Sequence, residues 1–207
     1  ILEGVRFLTE AQKAGLENKQ SIVVSYANYP SALVDQKIEE TIEKLRKSRF
    51  FSEFDRAGFS VNFGEQLISG EFSGGTPSIR SRALAWCSRT LSYAEGVNKA
   101  EEYFNIAKQL WVGAPEIQIA HAFILSQKGD KNAALKILAD IDLPIARSAA
   151  YIIVANHDGQ SGSIDWLNNA GIPASSLDSD GRRFHLAQML ELAQWDSALK
   201  YIDELTN

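Results

Sequence analysis

One cysteine, Cys87, occurs in 207 residues. A lone thiol excludes an intramolecular disulfide and a cysteine-based zinc cluster. It is compatible with a reducing compartment, and a cytoplasmic location is expected on that ground. Long apolar runs are also missing. No stretch approaches the roughly 18 apolar residues of a membrane helix, so no membrane insertion is expected. The first residues do not read as a signal peptide. The chain begins at Ile1 without methionine and is read as an excised piece of a longer protein. A positive charge balance is missing as well: 21 lysines and arginines against 26 acids give a formal net charge of −5. An acidic chain lacks the general electrostatic grip on phosphate backbones that nucleic-acid binding needs, so no nucleic-acid partner is expected. The excess of acids lies late. From Ser161 to Asn207 there are seven (Asp165, Asp178, Asp180, Glu191, Asp196, Asp203, Glu204) against three bases (Arg182, Arg183, Lys200).

Catalytic signatures are missing too. "SGGTPS", Ser73 to Ser78, lacks the spacing and the lysine of a phosphate loop and reads as a linker ending in a helix start at Thr76-Pro77. There is no nucleophile elbow and no paired-histidine metal helix. His121 and His185 both fall in the upstream helical segments, at similar depth to Cys87 but in different copies of the pattern, His121 and His185 two copies apart. Packed helix axes lie about 8–10 Å apart, so one ion with bonds of ~2 Å does not reach all three. They are read as residues packed between helices. His157, in "NHDGQSG", is read as an exposed turn residue. Nothing supplies a base beside Cys87, which is read as a small core residue. No cofactor and no enzymatic activity are expected.

What the chain does have is helical periodicity, interrupted at regular intervals. "GDKNAALKIL", Gly129 to Leu138, opens with a turn pair and then places Ala133, Ala134, Ile137 and Leu138 on one helix face. The pattern returns. Ala100 precedes Phe104, Ala134 precedes Leu138, Ser163 precedes Leu167 and Ala198 precedes Ile202, each a small residue followed at i+4 by a large apolar one. The small residues fall 34, 29 and 35 positions apart. Turn signals precede them at Glu95-Gly96, Gly129-Asp130, Gly159 to Gly162, and Gln194-Trp195-Asp196. Upstream of each lies another apolar-periodic segment: Ala83–Tyr93, Ile117–Ser126, Ala149–Ala155 and Phe184–Leu192. The unit is helix, short turn, helix, in about four copies. A small residue lets the first helix approach, and the large one a turn later fills the gap. A non-repetitive helical bundle is the alternative. The four tryptophans, Trp86, Trp111, Trp166 and Trp195, are expected to pack between helices, with Trp111 covering a hairpin end.

The breaker "GEFSGGTPS", Gly70 to Ser78, separates this region from the N-terminal part, giving expected domains at 1–75 and 76–207. Ser31 to Ser48 reads as an amphipathic helix with the stripe Val34, Ile38, Ile42, Leu45 and a cap at Ser31. Ile1 to Leu16 reads as another helix. "SIVVSYANYP", Ser21 to Pro30, is ambiguous: helix is favoured over Ile22–Ala27, and a small α/β part pairing it with Gly58–Phe63 is the alternative. The basic run Glu43 to Arg49 reads as the solvated face of its helix.

The spacing, with the Ala100-x3-Phe104 step, resembles the tetratricopeptide repeat. The resemblance covers Ser78 to the end and implies an all-α fold of antiparallel hairpins stacked as an α-solenoid. It further implies a concave face, lined by first-helix residues, that binds a peptide or partner protein. Carried over position by position, that lining is Arg82, Arg89 and Tyr93; Phe123 and Gln127; Ile152 and Asn156; Arg183 and Glu191. The lysine–asparagine clamp that family members use for C-terminal carboxylates is absent. The function implied is a non-catalytic interaction scaffold. A regulatory or sensory module of a multidomain signalling protein is the alternative.

Overall fold

The stripe Val34, Ile38, Ile42 winds into helix α1 over residues 31–43 in the computed structural model of the chain, which describes residues 31–43, 53–94 and 97–206. The helices expected before residue 31, Leu45 of the stripe and the basic run after Glu43 lie outside the described residues. Downstream follow α2 (Glu53–Ile68), α3 (Pro77–Ala94), α4 (Val97–Leu110), α5 (Pro115–Gln127), α6 (Lys131–Ala139), α7 (Pro144–Asn169), α8 (Ser179–Glu191) and α9 (Trp195–Thr206), with one 3-10 turn at Ala174–Ser176. Among the described residues there is no strand. The alternative of an N-terminal α/β part lacks support, because its only partner segment, Gly58–Phe63, lies inside α2. Phe59, Val61 and Phe63 alternate as in a strand, yet Ala57, Ser60, Phe63, Gly64 and Leu67 form the buried side of a helix.

The chain divides into two compact units, Ile1–Ile117 and Gln118–Asn207. The breaker at Gly70–Ser78 thus lies within the first unit, as an ordered loop between α2 and α3. Side chains hold it from both sides. Asp35 on α1 accepts from the Thr76 backbone N–H at 2.7 Å and from its hydroxyl at 2.8 Å, capping the start of α3 from a distant part of the chain. Arg80 donates back to Leu67 O at 2.8 Å and Ile68 O at 3.3 Å, the open carbonyls ending α2. Gly75 sits so close to α1 that a Cβ there would lie 2.7 Å from Ile38 Cδ1. That approach is what a glycine permits.

Within the first unit α3 and α4 form a close hairpin. Ser88 donates to Ala100 O at 2.7 Å, and Ser81 reaches Ala107 O at 2.8 Å and Trp111 O at 2.9 Å. Both serines and both alanines are fully buried, and each pair is spaced by seven residues, which fixes one antiparallel register. A side chain on one helix meets a backbone carbonyl of the next only when the second helix presents small residues at the contact. Tyr103 of α4 leans onto Gly64 of α2, where a Cβ would lie 2.7 Å from its Oη. Its hydroxyl donates to Val61 O at 2.9 Å.

The second unit repeats the device. Ala134 and Leu138 of α6 share one core with Ile119, Ala122 and Phe123 of α5 and with Ala146, Ala149, Ala150 and Ile153 of α7. Within α7, Gly159 has φ 77 and ψ −178, so residues 144–158 and 160–169 are two helices meeting at a sharp bend. Tyr151 before the bend and Leu167 after it join one cluster. Gly181 lets α8 approach α7: a Cβ would lie 2.6 Å from Ser148 Cβ. The Ser148 hydroxyl donates to Pro144 O at 3.0 Å and accepts from Asp178 N–H at 2.9 Å. All four residues singled out by the spacing, Ala100, Ala134, Ser163 and Ala198, are buried.

Three helices end alike. At Gly129, Gly171 and Ala193 the backbone is left-handed, with φ of 89°, 62° and 55°. The next residue's N–H bonds five back (Asp130 to Leu125 O, Ile172 to Leu167 O, Gln194 to Met189 O), the pattern of a Schellman stop. Alanine in place of glycine at Ala193 carries the Cβ penalty of that conformation. Ala193→Gly is therefore expected to raise unfolding stability by about 0.5–1 kcal/mol, after the entropy that glycine adds to the unfolded chain. Ala134→Leu is expected to lower it by about 1–3 kcal/mol through overpacking. Denaturant titration measures both; a neutral Ala134→Leu would contradict the helix register.

Candidate functional site

The nine residues implied as a concave lining are distributed over both units. In the first, Arg82 donates through Nε to Glu116 Oε1 at 3.0 Å. Arg89 stands over the ring of Trp86, with Cζ 5.2 Å from its centroid, the i,i+3 geometry of a cation–π pair. Tyr93 lies in α3, its side chain outside the described residues. In the second unit, Gln127 ends α5, Asn156 lies before the bend in α7, and both are exposed. Arg183 is exposed on α8, its Nη1 3.6 Å from Asp180 Oδ1. Glu191, at the end of α8, accepts from Gln160 Nε2. Each of these contacts leads to a residue outside the lining set.

One position needs correction. Phe123 has 0% exposure and belongs to the core of the second unit, while Ile152 is half-buried beside the same core. Phe123 therefore offers no surface to a partner. The reason is local: α5 is apolar on nearly every side, with Ile117, Ile119, Ala120, Ala122, Phe123 and Ile124 all buried. A helix without a polar face does not tell from sequence which side meets solvent.

Cys87 is buried, and burial pushes its thiol above the usual range, so it is poorly suited to act as a thiolate nucleophile. Among the described residues no group of three His, Cys, Asp or Glu is placed to hold a metal ion. His157 is exposed, with Nε2 3.0 Å from the buried Ser126 hydroxyl on α5. The neighbouring Asp158 pairs with Lys131 at 2.7 Å. Together these contacts pin the end of the first α7 helix to α5 and α6. Among the described residues no helix is long and apolar enough to cross a membrane.

Two features carry no signature of a site in the sequence. The first is a buried polar aromatic group. The Tyr151 hydroxyl and His185 Nδ1 are 2.8 Å apart, and the imidazole packs edge-on against Tyr151 at 5.5 Å and Tyr201 at 5.0 Å between ring centroids. His185 is 5% exposed. Burial lowers its pKa and pushes the Tyr151 phenol up to about 12. The second feature is on the surface. Trp195 is 60%, Leu199 62% and Ile202 38% exposed on α9, while Ala198 and Tyr201, on the adjoining part of the same apolar face, are buried. Trp195 thus does not pack between helices as expected. Trp111 is 43% exposed and folds over Gly113, where a Cβ would lie 2.8 Å from its Cζ2. Apolar spacing at i and i+4 is the only sequence signal for α9, and it does not tell how much of a broad apolar face is covered.

Comparison with protein-family models, with curated proteins and with solved structures gives no match for this chain.

The His185 environment fixes a sign. The folded state disfavours the imidazolium, so the unfolded chain takes up the extra proton as pH falls through about 6.5. This contribution is fully present above that pH and is lost below it, by at most about 1.4 kcal/mol per pH unit. Urea unfolding between about pH 8 and about pH 5 should show the loss in the wild type and a flatter profile in His185→Gln over the window that histidine titration sets. Identical profiles would contradict a neutral buried His185.

Proposed function

We propose that the chain is a non-catalytic protein-interaction scaffold whose hairpins are of the tetratricopeptide kind. The repeat reading is supported by the shared burial of Ala100, Ala134, Ser163 and Ala198 at equivalent places in successive hairpins. The observation that carries the interaction reading is the row of large apolar side chains left exposed on α9, Trp195, Leu199 and Ile202. Contiguous apolar surface costs solvation free energy and marks interaction sites more often than scattered single residues do. The exposed first-helix residues Gln127, Asn156, Arg183 and Glu191 would supply polar contacts of the same unit. Location in the cytoplasm, suggested by the single cysteine, belongs to the same proposal.

The test is affinity capture with the 207-residue chain, followed by reconstitution with the purified captured protein. The expected result is a complex of defined stoichiometry that Asn156→Ala/Arg183→Ala or Leu199→Glu weakens without a change in melting temperature, since exposed substitutions usually shift stability by no more than about 0.5 kcal/mol. Failure to reconstitute any complex, or a substrate turned over by the purified chain, contradicts the reading.

A further inference from the structure

One residue turns the chain back within α7. Gly159 joins residues 144–158 to 160–169 with no loop between them, and inside α7 only its own φ of 77 and ψ of −178 depart from a helix. The turn is sharp enough to bring the two arms together. Tyr151 and Leu167 share a buried cluster, whereas a straight helix would hold them about 24 Å apart. The bend therefore has one near alternative on the same backbone. Helical dihedrals at Gly159 alone would make α7 a continuous helix of 26 residues.

Two glycines weight that choice. The Gly159 conformation lies in a region essentially closed to other residues. A Cβ there would meet nothing within 4 Å, so the dihedral angles alone demand glycine. At Gly162 the demand is steric: a Cβ would lie 2.7 Å from Asp158 Cβ, closer than side chains pack. In a straight helix the same two positions are i and i+4, with Cβ atoms about 5–6 Å apart. Both glycines are thus required by the bent form and not by the straight one, where glycine is the poorest residue short of proline.

Straightening takes the residues after Gly159 away from their own copy, and a second copy supplies what is lost. The contacts across the bend are specific. The Tyr151 hydroxyl meets His185 Nδ1 at 2.8 Å, and the Tyr151 ring packs edge-on against Phe184 at 5.6 Å between centroids. Ser148 Oγ accepts from Asp178 N–H at 2.9 Å, and Arg147 Nε donates to Ser176 O at 3.3 Å. Each joins a residue before Gly159 to one after it. An opened copy presents both halves of this interface, and each half fits the other half of a second opened copy. No new contact surface is needed. Exchange of equal parts brings the two hinges together on a two-fold axis. The sequence there is Gly159-Gln160-Ser161-Gly162-Ser163, small at every position but Gln160, which permits two straight helices to cross closely.

We infer that Gly159 is a hinge through which the chain exchanges residues 160 onward with a second copy, forming a two-fold dimer. The closed monomer prevails in dilute solution, because the hinge holds its two halves at an effective concentration on the order of millimolar. The dimer forms where opened copies are concentrated, and it reverts only by opening again. The exchange involves no partner protein and is independent of the scaffold reading.

The test uses the full chain as wild type, as Gly159→Ala, as Gly162→Ala, and with a flexible Gly/Ser loop inserted after Gly159. Each is refolded from urea at low and at near-millimolar protein concentration and resolved by sedimentation. The concentrated wild type should yield a dimer that persists on dilution. Each alanine variant should raise the dimer-to-monomer ratio at least about tenfold, since it penalises the bend and favours the helix. The inserted loop should return the protein to monomer, because the halves then close without the strained turn. Spin labels at Leu143→Cys and Asn169→Cys, both exposed, report the distance within one chain when labelled protein is diluted with unlabelled. Cys87 is buried and takes no label in the folded protein. The dimer should show about 39 Å, the span of one straight helix, and the monomer a shorter distance. A dimer with the monomer's distance, a dimer that the inserted loop leaves intact, or no dimer in the wild type and either alanine variant would overturn the inference. Should an alanine variant fail to fold, the wild-type distance and the loop insertion decide the matter.

Discussion

Close helix crossing is the constraint on which the rest depends. Ser88 reaches the carbonyl of Ala100 at 2.7 Å only because the second helix carries nothing larger than a methyl group at that point. The same economy of volume recurs at Ala134 in α6, at Gly181 beside Ser148, and at Gly64 beside Tyr103. Each contact trades a side chain for proximity. Proximity then yields dispersion over many atom pairs and hydrogen bonds to otherwise open backbone groups. It also fixes register, since a serine that bonds one carbonyl does not bond the next one along. The capping contacts of Asp35 and Arg80 extend the principle to loops, satisfying helix ends with side chains from other elements.

From that constraint follows a surface as well as a core. A helix that buries one side on its hairpin partner still has another, and a further helix can use it. For α6 the second side is filled by the alanines of α7. For α9 it faces solvent, with Trp195 and Leu199 exposed. The buried Tyr151–His185 pair belongs to the same unit, packed against Tyr201 of α9 on its inner side.

The hairpins were legible in the sequence because two independent signals coincide in each: a small residue at a recurring spacing and a turn residue before it. Gly129 and Gly159 both take the positive φ that glycine allows. Local chemistry was therefore enough to separate one helix from the next. Direction was not. Phe123 and Gln127 sit four residues apart on α5, yet one is core and the other solvent-exposed. In a helix apolar on nearly every side, only tertiary packing decides between them. The partial cover of the apolar face of α9 was hidden for a similar reason: Ala198 and Leu199 are adjacent, both apolar, and end 2% and 62% exposed. Tyr151 and His185 lie 34 residues apart, and no motif spacing announces a pair made by packing. The candidate strand at Gly58–Phe63 is a helix because its alternating pattern competes with a helical one, and the burial of Phe63 and Leu67 together with the Tyr103 contact to Val61 rewards the helix.

The most direct measurement of the central claim is a double-mutant cycle on Ser88→Ala and Ala100→Leu. If helix separation governs the hydrogen bond, Ala100→Leu pushes the serine out of reach, and removing its hydroxyl afterwards costs little. The two changes should then be non-additive by about 1 kcal/mol, the net worth of the bond. Additivity within about 0.3–0.5 kcal/mol would mean that the crossing distance does not control the contact, and that close approach is not what holds the hairpin in register.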